Sequence, residues 1–212
     1  AQNNTIGGST EGERNLISAN QHAGVGIGGD GTSDNVVKGN YIGTDASGNG
    51  GMGNGSSGVS ICCGASDNTV GGSTEGERNI IAANRDNGVG IDGAGTDSNV
   101  VIGNYIGTDA SGSGGMGNGG VGVQIWGGAQ NNTIGGSGAG QRNLISANHY
   151  EGVSIGEAGT DSNVVIGNYI GTDVTGADWL GNGREGVWIG NAAQWNVIGG
   201  SSPGERNVIS AT

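Results

Sequence analysis

The sequence predicts an all-β solenoid with three short parallel strands per coil and two coils per 64-residue repeat, about six to seven coils in all. Three observations predict it. The stretch Asn35–Asp45, Asn-Val-Val-Lys-Gly-Asn-Tyr-Ile-Gly-Thr-Asp, returns nearly unchanged at Asn99–Asp109 and Asn163–Asp173, each copy 64 residues after the last. Gly-Val-x-Ile occurs at 24–27, 58–61, 88–91, 122–125, 152–155 and 186–189, with spacings that alternate between 34 and 30. Every candidate strand is short, alternates in polarity, carries Val or Ile, and is bounded by Gly and Asn, which is a strand signature.

Within a coil the elements follow in a fixed order. Gly-Val-x-Ile opens the first strand. An Asn-x-Val/Ile segment follows, starting at Asn35, Asn68, Asn99, Asn132, Asn163 and Asn196. A third segment starts at Asn15, Asn40, Asn79, Asn104, Asn143, Asn168 and Asn207. A segment this short buries nothing alone. Stacked on its equivalent one coil later, at about 4.8 Å, it builds a continuous sheet, and three such sheets enclose a triangular prism.

The pattern then assigns directions. Val37 and Ile42 point inward; Val36, Lys38 and Tyr41 point outward. Gly39 makes a corner that calls for positive φ. The recurrent Asn tolerates left-handed backbone and stacks into side-chain ladders. Two variable corners remain: Gly7–Arg14 and its equivalents between the second and third segments, and Thr44–Gly55 and its equivalents before the next Gly-Val. The repeats run over about 4–67, 68–131 and 132–195, with a partial repeat at 196–212, and no linker or composition break divides residues 1–212.

Composition sets limits on partners. With 52 Gly, no Phe and four Trp, the core is built from rows of Val, Ile and Leu. A net charge of −12 with seven basic residues opposes nucleic acid and anionic membrane surfaces, because little is present to neutralise phosphate. No apolar run approaches the ~18 residues of a membrane span. The acidic, Asn/Gly/Ser/Thr-rich composition fits an extracellular or cell-surface setting, and Ala1-Gln2 reads as the start of a mature chain or an arbitrary boundary. Cys62 and Cys63 are adjacent, match no metal or disulfide framework, and read as idle thiols or as a vicinal or intermolecular disulfide.

These motifs carry a resemblance. Asn-x-Val-x-Gly-Asn-x-Ile with Gly-Val-x-Ile resembles the right-handed parallel β-helix repeat, the architecture of pectate-lyase-like proteins. Gly-Asn-Tyr-Ile-Gly-Thr-Asp, Asn-Thr-Ile-Gly-Gly and Arg-Asn-Leu-Ile-Ser-Ala-Asn are similar to repeats of large secreted or surface bacterial proteins. The resemblance covers essentially the whole chain and implies the fold. It leaves function open, because this scaffold hosts lyases, hydrolases, epimerases, adhesins and spacers. For a polysaccharide lyase it implies acidic Ca²⁺ ligands with an Arg or Lys base. The sole Lys is Lys38, and Arg14, Arg78, Arg142 and Arg206 form a repeated row that reads as loop bracing.

Candidate site residues are few. Asp45, Asp109 and Asp173, in Thr-Asp-x-Ser/Thr-Gly loops, are the candidate Ca²⁺ ligands, since carboxylates suit a hard cation. Gly-Thr-Asp-Ser turns at 95–98 and 159–162, with Gly31-Thr32-Ser33-Asp34, offer a second acidic set. The same Asp residues also serve as turn and cap residues. Trp126, Trp179 and Trp188 fall in the second half and are candidates for stacking on sugar rings or docking a partner, or else for covering the end of the prism. Tyr41, Tyr105 and Tyr169 belong to an outward Leu/Tyr stripe that is either covered by insertion loops or free for lateral association. Two readings follow. The first is a non-enzymatic structural or adhesive module that self-associates end to end or belongs to a longer chain. The second is a polysaccharide-active enzyme or carbohydrate-binding β-helix, its groove placed around Trp126, Trp179 and Trp188.

Overall fold

In the computed structural model, which describes residues 1–210, the chain winds into three parallel sheets. The first sheet has six strands, from Val25–Gly28 through Val59–Cys62, Val89–Asp92, Val123–Trp126 and Val153–Gly156 to Val187–Gly190. The second has seven, from Thr5–Gly7 to Val197–Ile198, and the third has seven, from Leu16–Ile17 to Val208–Ile209. Each strand pairs with its equivalent one coil away, in register: Val37 with Val70, Val101 with Ile134, Ile106 with Ile145. This is the right-handed parallel β-helix expected, about six turns of it; the partial repeat's residues 211–212 lie outside the described residues.

The prism interior is the stacked aliphatic rows. Val37, Ile42, Val70, Ile81, Val101 and Ile106 are all fully buried, as the inward assignment required. Burial of one such side chain stabilises by about 1.5–3 kcal/mol relative to exposure. Because each row continues through every coil, no single coil holds its own core.

The corners are held by asparagine. In one ladder the side-chain amide of Asn68 donates to Oδ1 of Asn99 at 2.9 Å, and its backbone N–H reaches the same oxygen at 3.0 Å. The second ladder runs through Asn40, Asn79, Asn104 and Asn143 in the same way. A third, absent from the sequence reading, closes the remaining corner through Asn20, Asn54, Asn84, Asn118, Asn148 and Asn182. All three carry buried polar groups along the prism with hydrogen-bond partners supplied.

The two kinds of insertion dress the third sheet. Gly7–Arg14 and its equivalents each contain one 3₁₀ turn, Glu11–Glu13 in the first, whose Glu13 carboxylate accepts from the backbone N–H groups of Ser9 and Thr10. The longer loops are small hairpins, with Thr44 bridged to Gly51 and Thr108 to Gly115. Among the described residues no helix is long and apolar enough to cross a membrane.

Candidate functional site

On the outer face of the first sheet, side chains that differ from coil to coil come together. One outward row reads Gly26, Ser60, Gly90, Gln124, Ser154, Trp188. The neighbouring row reads Gly28, Cys62, Asp92, Trp126, Gly156, Gly190. Bulky side chains stand in these rows only in the fourth and sixth coils, Gln124 and Trp126 in one and Trp188 in the other, with Ser154 and Gly156 between them. Trp126 and Trp188 come from coils two apart, and their rings stack with centroids 5.9 Å apart and planes 17° apart. Gly156 on the coil between makes this possible: a Cβ there would stand 2.3 Å from Cζ3 of Trp126 and 2.8 Å from Cζ3 of Trp188.

The pair forms one wall of an open groove of about 740 Å³, lined also by Val121, Gln124, Ser154, Glu151, Arg184 and Glu185. Glu151 and Glu185 occupy the position just before Gly-Val in successive coils, so the stack sets them side by side. Arg184 lies 3.6 Å from the Glu151 carboxylate, and its guanidinium sits 4.5 Å above the Tyr150 ring. The Asn87 amide donates to Oε1 of Gln124 at 2.9 Å while its own oxygen accepts the Val121 N–H, which fixes the Gln124 side chain. An aromatic pair flanked by two carboxylates, a guanidinium, an amide and a hydroxyl suits a ligand with apolar faces and polar edges.

Trp179 does not join this groove. It pairs with Thr172 at the rim of a corner loop and is 77% exposed. Sequence reasoning flagged Trp126 and Trp188 but not Glu151, Arg184, Glu185 or Gln124. The available signal was the residue before each Gly-Val, which reads Ala23, Ser57, Asn87, Val121, Glu151, Glu185 and turns acidic only at the end.

The tyrosines sit on another face. Arg14, Arg78 and Arg142 lay their guanidinium groups 4.2, 4.1 and 4.1 Å from the ring centroids of Tyr41, Tyr105 and Tyr169. The hairpin loops close over the same stripe: a Cβ at Gly112 would stand 2.8 Å from Tyr105 and 3.1 Å from Leu144. Ile80, Tyr105 and Leu144 are thereby buried in a second, smaller core. The loops cover the middle of the Leu/Tyr stripe, at Ile80, Tyr105 and Leu144, while Tyr41 and Tyr169 stay half-buried and Leu16 is exposed.

The three aspartates each serve their own loop. Oδ1 of Asp45 accepts the Ser47 hydroxyl at 2.7 Å and the N–H groups of Ser47 and Asn49. Asp109 does the same with Ser111, Ser113 and Gly114, and Asp173 with Thr175, Ala177 and Asp178. The Ser47 and Thr175 hydroxyls, ahead of the loop N–H groups, hold the Asp45 and Asp173 carboxyls below the usual range. Burial pushes Asp109 upward, but its hydrogen bonds from Ser111, Gly114 and Ser113 together outweigh that and lower it too. Asp97 and Asp161, in the other acidic turns, accept the N–H of Gln130 and Gln194 one coil on. Among the described residues no group of three or more His, Cys, Asp or Glu is placed to hold a metal ion.

No protein-family model matches the chain, and no curated protein matches it. Among solved structures it is similar to the periplasmic alginate epimerase AlgG, at 14% identity and a TM-score of 0.54 over 83% of this chain. A point mutant of that enzyme matches at 16% identity and a TM-score of 0.54 over 86% of this chain. The chain spans 35% and 38% of the length of those two structures. The likeness establishes the fold alone: a right-handed parallel β-helix.

Proposed function

We propose that this chain is a glycan-binding β-helix of an extracellular or cell-surface protein, with a structural and adhesive role. One observation carries the reading: the stacked Trp126–Trp188 pair beside a polar groove, a combination that the 64-residue repeat does not reproduce elsewhere among the described residues. Sugar rings present C–H faces that lie on indoles and hydroxyl edges that hydrogen-bond to carboxylates, amides and hydroxyls. Gln124, Ser154, Glu151, Glu185 and Arg184 supply those partners. At about 740 Å³ the groove has the size of a small-ligand site and is open to solvent. The fold's likeness to an alginate epimerase supports a polysaccharide as the ligand class, by analogy of scaffold.

The test is a panel of immobilised neutral and uronate polysaccharides, scored for retention and, in parallel, for new reducing ends, unsaturated products and altered sugar stereochemistry. Retention of at least one polymer without turnover is expected. Failure to bind any polymer overturns the reading. Turnover replaces the adhesive role with the polysaccharide-active alternative, in which Glu151 and Glu185 are the carboxylates to mutate first.

A further inference from the structure

Cys62 and Cys63 stand outside the groove's chemistry, yet their setting is unusual. Cys62 ends the strand Val59–Cys62 and points outward, half-buried; Cys63 follows it, exposed. Ala65 donates its N–H back to the Cys62 carbonyl at 3.2 Å, which closes a tight turn. Cys63 takes φ 63° and Gly64 takes φ 86°, so both central residues are left-handed. On the coils before and after, the Cys63 position is held by Gly29 and Gly93, at φ 96° and 97°. The corner is left-handed in every coil: glycine holds it in three coils, and Glu157 and Asn191 hold it in the last two at φ 74° and 52°, so the fold accepts the cysteine there. Gly28, one coil back, leaves room for the Cys62 sulfur, which would lie 3.3 Å from a Cβ there.

We propose that Cys62 and Cys63 form a redox-active vicinal pair, which closes to a disulfide by exchange with a small-molecule disulfide. The two roles follow from exposure. The Cys63 thiolate attacks one sulfur of R–S–S–R, giving a mixed disulfide and releasing one RS⁻. Cys62 then loses its proton to solvent and attacks the Cys63 sulfur; the ring closes and the second RS⁻ leaves. Two protein thiols are oxidised and one external disulfide is reduced to two thiols, so atoms and electrons balance. Cys62 is the slower partner. The hydrogen bond it shares with Cys63, followed by burial and the nearby charges of Cys63 and Asp92, pushes its thiol up to about 11. Adjacent Cα atoms are held at about 3.8 Å, closer than the ~4.4–6.8 Å of ordinary disulfides, so the ring is readily reopened. That places it with labile, exchangeable disulfides rather than with structural staples.

The experiment is incubation of the reduced full chain with oxidised glutathione, followed by intact mass, peptide mapping and non-reducing electrophoresis. The expected product is a monomer lighter by two hydrogen atoms, with both thiols blocked to alkylation and both recovered on mild reduction. In Cys62→Ser the reaction stops at a glutathione adduct on Cys63; Cys62→Ala repeats that test in a second background. A stable glutathione adduct on the wild-type protein, a disulfide-linked dimer, or two thiols left unreacted would each overturn the proposal. None of these outcomes depends on whether the groove binds a glycan.

Discussion

The outer faces of the first and third sheets are built on one backbone and treated in opposite ways. On the third sheet, Arg14–Tyr41, Arg78–Tyr105 and Arg142–Tyr169 repeat one contact three times, and loops bury the middle one. On the first sheet no outward residue type recurs regularly, the face is open, and the bulky and charged groups gather at one end. In a repeat protein, what recurs in every unit answers the demands of stacking. A constellation that occurs once answers to something outside the stack. The Arg row is therefore bracing, and the Trp126–Trp188 groove is the candidate for recognition.

Substitutions sharpen that contrast. The largest effect is expected at a repeated corner. In Gly103→Ala the new Cβ would stand 2.1 Å from the Gly72 carbonyl oxygen and 2.8 Å from that of Gly140, at φ +69°. Urea denaturation should show a loss of about 3–5 kcal/mol. Gly26→Ala, on the open face with nothing within 4 Å, should stay within about 0.5 kcal/mol of wild type. Equal losses at both sites would erase the distinction between a repeated corner and the open face.

Tyr105→Ala comes next. Tyr105 is 8% exposed, packs in the small core with Ile80 and Leu144, and carries the Arg78 guanidinium. About 3 kcal/mol of stability should go, with glycan retention unchanged. Trp188→Ala should do the reverse: stability within about 1 kcal/mol, and affinity weaker by about 2 kcal/mol, roughly 30-fold. Calorimetry on the two variants reads both quantities, and a Tyr105 effect on binding would break the separation.

The smallest effect is expected with pH. Asp45, Asp109 and Asp173 are all lowered in the folded state, so their stabilisation is complete above the ordinary aspartate value, near pH 4. It is lost as pH falls through the lowered folded values. Thermal scans should be flat between about pH 7 and 5 and decline below about 4, less steeply in Asp109→Asn. An unchanged acid limb in that variant would contradict the capping role of the loop aspartates.

Much of this fold is legible in the sequence because the stack enforces one register. Asn-Val-Val-Ile-Gly-Asn-Tyr-Ile fixes which side chains face inward, and Val101 and Ile106 lie where that pattern puts them. The third asparagine ladder is harder to see. Asn20, Asn84 and Asn148 follow their strands directly, while Asn54, Asn118 and Asn182 come after a hairpin insertion, so linear spacing hides a row that is straight in space. The groove was half visible. An indole at an outward position is conspicuous in a single strand, and Trp126 and Trp188 could be picked out that way. Their meeting depends on Gly156 in the intervening coil, and Glu151, Arg184 and Glu185 acquire meaning only when two coils are laid side by side. Trp179 shows the converse: an equally conspicuous indole whose loop carries it elsewhere.

The central claim is that the groove beside Trp126 and Trp188 is where this β-helix meets a polysaccharide. Affinity electrophoresis through gels containing one polysaccharide each, comparing wild type with the Trp126→Ala/Trp188→Ala double variant and Tyr105→Ala, tests it directly. The account predicts that at least one polymer retards wild type and Tyr105→Ala alike and leaves the double variant at its free mobility. Retardation of a folded double variant equal to that of wild type, or no retardation of wild type by any polymer, would contradict it.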